Sequence, residues 1–258
     1  MAKKNEESKE LVSTVGVVEE MPDWMKDMGD DNRGNEGITK EDLVIPRLSI
    51  IQAISPELDE KDPAYIEGAK NGMMFNTLTK KLYTEVLVIP VVYEKKYLLW
   101  RDRKKGGGFG GQYDTEQEAN AAIMDMEEPD EWEATDTPTH LCLVVSDGKP
   151  FEIAIPMPKS KAKVSRQFNS TIRLLGGPRF SRVYKISVVD DKKKSTGDKF
   201  KNFNVIPAGF PNQELFQLAE KLYTDLSTGA VNYKVDDNYE VNDNYEAEAD
   251  RPAQTDKF

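Results

Sequence analysis

The stretch Leu82-Tyr83-Thr84-Glu85-Val86-Leu87-Val88-Ile89-Pro90-Val91-Val92-Tyr93 decides the fold class. It is dense in Val, Ile and Tyr, which favour β-strands, and we expect a long buried strand that Pro90 interrupts. The run 97–101 predicts another strand directly after it. The centre of the chain is therefore expected to be built on strands.

Further strands are predicted on both sides of this stretch. Asp147-Gly148 is a strong hairpin signal between two apolar runs, and a polar loop joins the last pair of runs. The additional predicted strands are 43–51, 139–146, 150–155, 180–189 and 199–207.

Three helices are predicted between and after the strands. Asp114 can cap an acidic helix, and the helix 159–175 is expected to end at Gly176-Gly177-Pro178. The last helix, about 212–226, has an apolar stripe that can close the core or make a homodimer. The pattern predicts a mainly β protein with appended helices (α+β), in which an OB-fold-like small barrel is flanked by polar ends.

The charge distribution divides the chain into three parts. Residues 1–41 carry a net charge of −5 and residues 235–258 carry −6, so residues 42–234 are neutral as a whole. We interpret these parts as a flexible acidic N-terminal arm, an OB-fold-like nucleic-acid-binding domain, and a disordered acidic C-terminal tail that ends on Phe258. Within the neutral part, residues 159–201 hold thirteen Lys/Arg against three Asp, and residues 114–136 hold ten acids and no base.

Composition excludes several classes of function. No apolar run approaches the ~20 residues of a membrane helix, so a soluble, intracellular protein is expected. The single His140 and single Cys142 cannot form a zinc set, and both adjoin an apolar strand where structural roles are expected. Residues 106–111 are Gly-rich but lack the Gly-Lys-Ser/Thr ending of a nucleotide loop, so we interpret them as a flexible loop. We expect no enzymatic activity, no cofactor and no metal.

Aromatic and basic residues are interleaved at the end of the central strands. Bases can stack on rings while cations follow the phosphates, which is the arrangement of a single-strand platform. The alternative is a core Trp100 with solvated lysines. The candidate nucleic-acid-binding residues of this surface are Lys95, Lys96, Tyr97, Trp100, Arg101, Arg103, Lys104, Lys105, Phe109 and Tyr113.

A second candidate surface follows the predicted helix 159–175. Its cations fall on one side, opposite an apolar stripe, and Phe180, Arg182 and Tyr184 are expected to share a strand face. The alternative is an ordinary solvated basic surface. The candidate residues are Lys159, Lys163, Arg166, Arg173, Arg179, Phe180, Arg182, Tyr184, Lys192, Lys193 and Lys194.

A strand body with aromatic and basic strands, followed by an acidic tail ending in Phe258, resembles the single-stranded DNA-binding proteins of bacteriophages and bacteria. It is most similar in organisation to phage replication proteins of this length with an OB-fold. The resemblance implies a protein that coats and protects single-stranded DNA with little sequence specificity during replication, recombination and repair, in the cytoplasm of a bacterial host. It also implies that the tail, with Asp250, Asp256 and Phe258, recruits a polymerase, helicase or recombinase.

Two other classes of function stay open. The basic surface can belong to a non-enzymatic transcription-regulating or protein-interaction factor that contacts RNA polymerase or duplex DNA. It can also belong to a nuclease with an unrecognised metal site, for which the acidic block 114–136 is the first place to look. Quenching of Trp100 fluorescence by short homopolymers is expected only of the single-strand binder.

Overall fold

The computed structural model of the chain describes residues 23, 33–39, 42–146, 148–192, 197–228 and 234–235, with only the backbone at Arg103 and Lys234. The chain divides into two units, residues 1–39 and 40–258. In the first unit, residues 33–39 form turns, in which the Glu36 carboxylate accepts a hydrogen bond from the Gly34 N–H. Most of the predicted arm and tail lie outside the described residues.

The described part of the second unit contains short and long strands and three α-helices. The strands are β1 (Val44–Ile45), β2 (Leu48–Ile50), β3 (Met74–Asn76), β4 (Leu82–Tyr83), β5 (Glu85–Arg101), β6 (Phe109–Tyr113), β7 (Trp132–Val144), β8 (Phe151–Pro156), β9 (Val183–Lys192), β10 (Lys199–Gly209) and β11 (Lys234–Val235). The α-helices are α1 (Glu116–Met124), α2 (Ala162–Leu175) and α3 (Gln213–Ser227), and 3-10 turns include Pro129–Glu131, Lys159–Lys161 and Arg179–Ser181.

The central strand β5 is continuous over 17 residues. The sequence predicts one strand at 82–93, interrupted by Pro90, and another at 97–101, whereas β5 runs through both from Glu85 to Arg101. The register with β7 shifts between Pro90 and Val92, so Val91 forms a bulge next to the proline, and a proline without an N–H is tolerated at such a bulge. The strand that the sequence divides in two is thus the spine of the whole sheet.

The main sheet branches along β5. Its strand order is β10-β9-β5-β7-β8, and all of these pairs are antiparallel. On the edge of β5 opposite β7, β9 pairs with residues 85–88 and β6 pairs with residues 97–100. A smaller sheet has the order β2-β3-β4, and β1 pairs with β11. The described strands do not close into a barrel, and the architecture is α+β, mainly β with appended helices, and compatible with an OB-like fold.

Both faces of the sheet are buried. On one face, α2 packs through Phe168 and Ile172 in a core that also includes the small sheet. On the other face, α3 packs through Ala219 and Leu222 against Ile89. The prediction that α3 closes the core is therefore confirmed. No helix among the described residues is long and apolar enough to cross a membrane.

Local sequence signals set the helix ends. Thr115, not Asp114, caps α1, and its hydroxyl and the Glu118 side chain form a reciprocal capping box. Helix α2 ends as predicted at Gly176, whose φ of 71° favours a residue without a Cβ. The side chain of Asn212 caps α3. Two arginines, Arg179 and Arg182, follow the end of α2.

Candidate nucleic-acid interface

The first predicted surface, at the far end of β5, is largely neutralised by the acidic block. Four of its cations form ion pairs with carboxylates of residues 114–136, which lie on β7 and the segments before it. The pairs are Lys95 with Asp136 (2.9 Å), Lys96 with Asp114, Arg101 with Glu131 (2.7 Å) and Glu128, and Lys105 with Glu131 (3.1 Å).

This pairing also shifts the pKa of the carboxyl group that holds two of the cations. Hydrogen bonds from Arg101 and then Lys105 lower the pKa of the Glu131 carboxyl. A phosphate arriving here would have to displace carboxylates that already hold the cations, so little attraction remains. Lys104 is exposed, and the side chain of Arg103 lies outside the described residues.

The aromatic residues of the same surface are not available as a stacking platform. Trp100 is only 6% exposed, and its ring packs 5.5 Å from the ring of Phe109. Residues 109–113 form β6 and not a mobile loop, because Gly110 lets that strand approach Trp132 and Leu99 closely. Tyr97 and Tyr113 are half-buried on this β5–β6 pair. The expectation that Trp100 stacks on bases is corrected by its burial, whereas Phe109 is half-buried against it.

Phe180 and Tyr184 are also core residues, and they lie on opposite faces of the sheet. Phe180 packs against Phe216 of α3, whereas Tyr184 packs against Phe168 of α2. The prediction that Phe180, Arg182 and Tyr184 share a face is wrong, because residues 179–181 form a 3-10 turn and the strand alternation begins only at Val183. Buried rings present no face to a base.

Helix α2 presents its cations to solvent as predicted. Lys163, Arg166 and Arg173 are exposed and recur at helical spacing on the side opposite Phe168 and Ile172. Lys159 instead lies in the preceding 3-10 turn, where its Nζ is 3.2 Å from Glu133. Lys192 is exposed at the end of β9. The predicted residues Lys193, Lys194, Asp250, Asp256 and Phe258 lie outside the described residues.

Arg179 is half-buried beside α2 and is held by neutral groups. Its Nη2 donates to Nδ1 of His140 at 2.6 Å, and its Nη1 donates to the side-chain oxygen of Asn169 at 2.9 Å. The guanidinium also lies 5.6 Å from the ring centroid of Tyr93 and 5.8 Å from that of Phe168. Burial lowers the pKa of Arg179. Among the described residues, no carboxylate forms an ion pair with it.

Arg182 is likewise held without a carboxylate. Its Nη2 donates to the backbone carbonyl of Leu175 at 3.0 Å, at the C-terminal end of α2. Its guanidinium lies 4.6 Å from the ring centroid of Phe210, which is 71% exposed. Phe210 was not among the residues predicted for the interface. The signal that could have found it is its place between Gly209 and Pro211, where an aromatic side chain belongs to neither a strand face nor a helix stripe.

We call Arg166, Arg173, Arg179 and Arg182 the arginine edge. Arg179 contacts Asn169, which lies three residues after Arg166 and four residues before Arg173 on α2, and Arg182 binds the end of the same helix. Within the described part of the chain, none of the four pairs with a carboxylate, unlike the cations of β5. Arginine forks match phosphate oxygens, so this edge is suited to a polyanion.

The buried groups next to the edge are poorly suited to catalysis. His140 Nε2 is 2.8 Å from Ser165 Oγ, but burial and the neighbouring Arg179 lower the pKa of His140 to about 3. In a serine hydrolase a carboxylate binds the imidazole nitrogen that faces away from the serine, whereas in this protein Arg179 binds that nitrogen. Burial also raises the pKa of the Cys142 thiol to about 12. Among the residues that the structure describes, no cluster of His, Cys, Asp and Glu could hold a metal ion.

Comparison with known proteins gives one match. A family model described as "Pam3 phage gp34-like protein" matches residues 9–232, which include every described element up to α3. No curated protein and no solved structure matches the chain. The family model covers well over half of the sequence, and the chain therefore belongs to the Pam3 phage gp34-like family of bacteriophage proteins.

Proposed function

We propose that this phage protein binds single-stranded DNA without sequence specificity and that the arginine edge holds the phosphates. The observation that carries the proposal is the difference between two basic surfaces. The cations of β5 are paired with the acidic block, whereas the arginine edge has no carboxylate partner among the described residues. Positive charge left uncompensated attracts a polyanion.

The surroundings of the arginines favour an unpaired strand over a duplex. Tyr93, which is 40% exposed, contacts Arg179, and Leu174, at the end of α2, is 86% exposed. Unpaired bases offer apolar faces to such a surface, whereas a duplex keeps its bases stacked inside and offers mainly phosphates. Because the contacts are to phosphates and base faces, little sequence preference follows.

The acidic tail completes the proposal. Residues 235–258 carry a net charge of −6, so at low salt the tail competes with DNA for the arginine edge. DNA displaces it, and Phe258 becomes free to bind a replication or recombination protein such as a polymerase, helicase or recombinase. The protein would then act without a cofactor or catalysis, in the cytoplasm of the host bacterium.

The test is a competition between single-stranded and duplex DNA. Fluorescence anisotropy of a labelled oligothymidine of about thirty nucleotides follows binding at fixed low salt, with an unlabelled oligonucleotide or the matching duplex as competitor. We expect the single strand to compete far better. Equal competition would favour a duplex-binding transcription factor, and no binding at low salt would favour a protein-interaction factor.

A further inference from the structure

Phe210 is an exposed aromatic ring whose one face is occupied by a cation. It follows directly after β10 and is 71% exposed, and the guanidinium carbon of Arg182 lies 4.6 Å from its ring centroid. That separation is typical of a cation–π contact. With so much of the side chain exposed, the ring face away from Arg182 is open to solvent.

The cation that contacts the ring is itself anchored, and the backbone before the ring turns at a bulge. Arg182 is anchored by its hydrogen bond to the Leu175 carbonyl, which ties the guanidinium to the end of α2. On the other side, the register of β10 with β9 shifts between Pro207 and Gly209, and Gly209 has a φ of 134°. A bulge of this kind redirects the chain that follows it. An anchored ring loses little conformational entropy when a ligand stacks on it.

The charge around the ring decides between an apolar and a nucleotide ligand. Arg182 contacts the ring itself, and Arg173 and the exposed Leu174 lie on the last turn of α2, which Arg182 caps. An apolar peptide would fill the ring face but leave the arginines without partners. A nucleotide supplies a flat ring for Phe210 and a phosphate for an arginine in one unit.

We infer that Phe210 is a stacking site for one base of the bound single strand, with Arg182 supporting the ring from behind. This inference rests on the proposed function and adds to it a specific contact with the base. The stacking role thus belongs to the exposed Phe210 and not to the buried rings of Trp100, Phe180 and Tyr184.

The experiment compares two ligands that differ only in their bases. Anisotropy titrations use a labelled oligothymidine and an abasic deoxyribose-phosphate oligomer of the same length and charge. The variants are Phe210→Ala, Phe210→Trp, and Met124→Ala as a control at an exposed apolar residue of α1, outside the arginine edge. Thermal melts establish that each variant is folded, which the exposure of both side chains favours.

The expected pattern is specific to a base contact. Phe210→Ala weakens binding to oligothymidine at least about fivefold but leaves binding to the abasic oligomer unchanged, and Phe210→Trp retains or improves the first affinity. Met124→Ala leaves both affinities unchanged. Equal binding of wild type and Phe210→Ala to oligothymidine, or an equal loss on both oligomers, would overturn the inference while leaving the proposed function standing. Failure of the wild type to bind oligothymidine would overturn both.

Discussion

Arg179 donates a hydrogen bond from Nη2 to Nδ1 of the buried His140 across 2.6 Å. Because Nδ1 accepts, the proton of the neutral imidazole is on Nε2, which donates to Ser165 Oγ at 2.8 Å. The pair joins the 3-10 turn at residues 179–181 to β7 and to α2. A neutral histidine thus fixes the position of one arginine of the proposed DNA site.

His140 is predicted to make the protein less stable as the pH falls. Its pKa is about 3 in the folded protein and near 6.5 when unfolded, so between these values the unfolded chain binds a proton that the folded protein does not. Stability from this group is complete above about pH 6.5 and is lost toward pH 3. We expect urea unfolding to show a loss of about 2 kcal/mol between about pH 7 and about pH 5.

A second measurement isolates this group. The chain has a single histidine, so its imidazole resonance in an NMR spectrum is unambiguous. We expect that resonance to keep its neutral position from about pH 8 down to about pH 5. A titration midpoint near the ordinary histidine value would show that Arg179 does not hold the ring neutral.

Gly110→Ala is predicted to destabilise the protein by about 1–3 kcal/mol. A Cβ at this position would lie 2.6 Å from Cζ3 of Trp132 and 3.0 Å from Cβ of Leu99. These atoms belong to buried or packed side chains on β7 and β5, which cannot move far. Gly37→Ala is the control, since a Cβ there meets no atom within 4 Å. Equal urea midpoints for the two variants would contradict the close packing of β6.

Trp100 is predicted to matter for stability and not for DNA. Trp100→Ala should lower the free energy of unfolding by about 3–5 kcal/mol, because the side chain is 6% exposed. Trp100→Phe keeps an apolar ring and should bind oligothymidine within about twofold of the wild type, whereas loss of a stacking ring would cost more. Chemical denaturation and anisotropy measure the two effects. If the folded Trp100→Phe protein bound oligothymidine with strongly reduced affinity, Trp100 would be shown to contact the DNA.

Removal of the acidic tail is predicted to tighten DNA binding at low salt. A chain that ends at Val235 keeps β11 and lacks the −6 charge of residues 236–258, and the difference from the full chain should vanish as salt screens the tail. A full-length chain with its tail acids changed to Asn and Gln should bind as tightly as the truncated one. The competition model fails if truncation leaves oligothymidine affinity at low salt unchanged.

The sequence predicted most elements of the fold, since strand composition, the Asp147-Gly148 hairpin signal and the glycines after α2 act locally. It missed the continuity of β5, because the bulge that accommodates Pro90 depends on pairing with β7. It also could not place the rings of Trp100 and Tyr184. Alternation identifies which residues share a face, but at Tyr184 both faces of the sheet are covered by helices, and Trp100 is covered through the pairing of β6 with β5.

The candidate site was harder to predict because charge pairing is a tertiary property. Arg101 and Glu131 are 30 positions apart, and only the fold brings their side chains together. For the same reason, local sequence does not show that Arg179 and Arg182 have no carboxylate partner among the described residues. Local sequence therefore identified both basic surfaces but could not rank them.

The most direct test of the account compares the salt dependence of oligothymidine binding between two double variants. Arg166→Ala/Arg173→Ala removes two exposed cations of the arginine edge, and Lys95→Ala/Lys105→Ala removes two cations that are paired with Asp136 and Glu131. We predict that the first weakens binding and reduces the slope of log K against log salt by about 1.4, or about 0.7 for each phosphate contact. The second should change the slope by less than half as much. A larger change in slope for Lys95→Ala/Lys105→Ala than for Arg166→Ala/Arg173→Ala would contradict the account and place the DNA at the far end of β5.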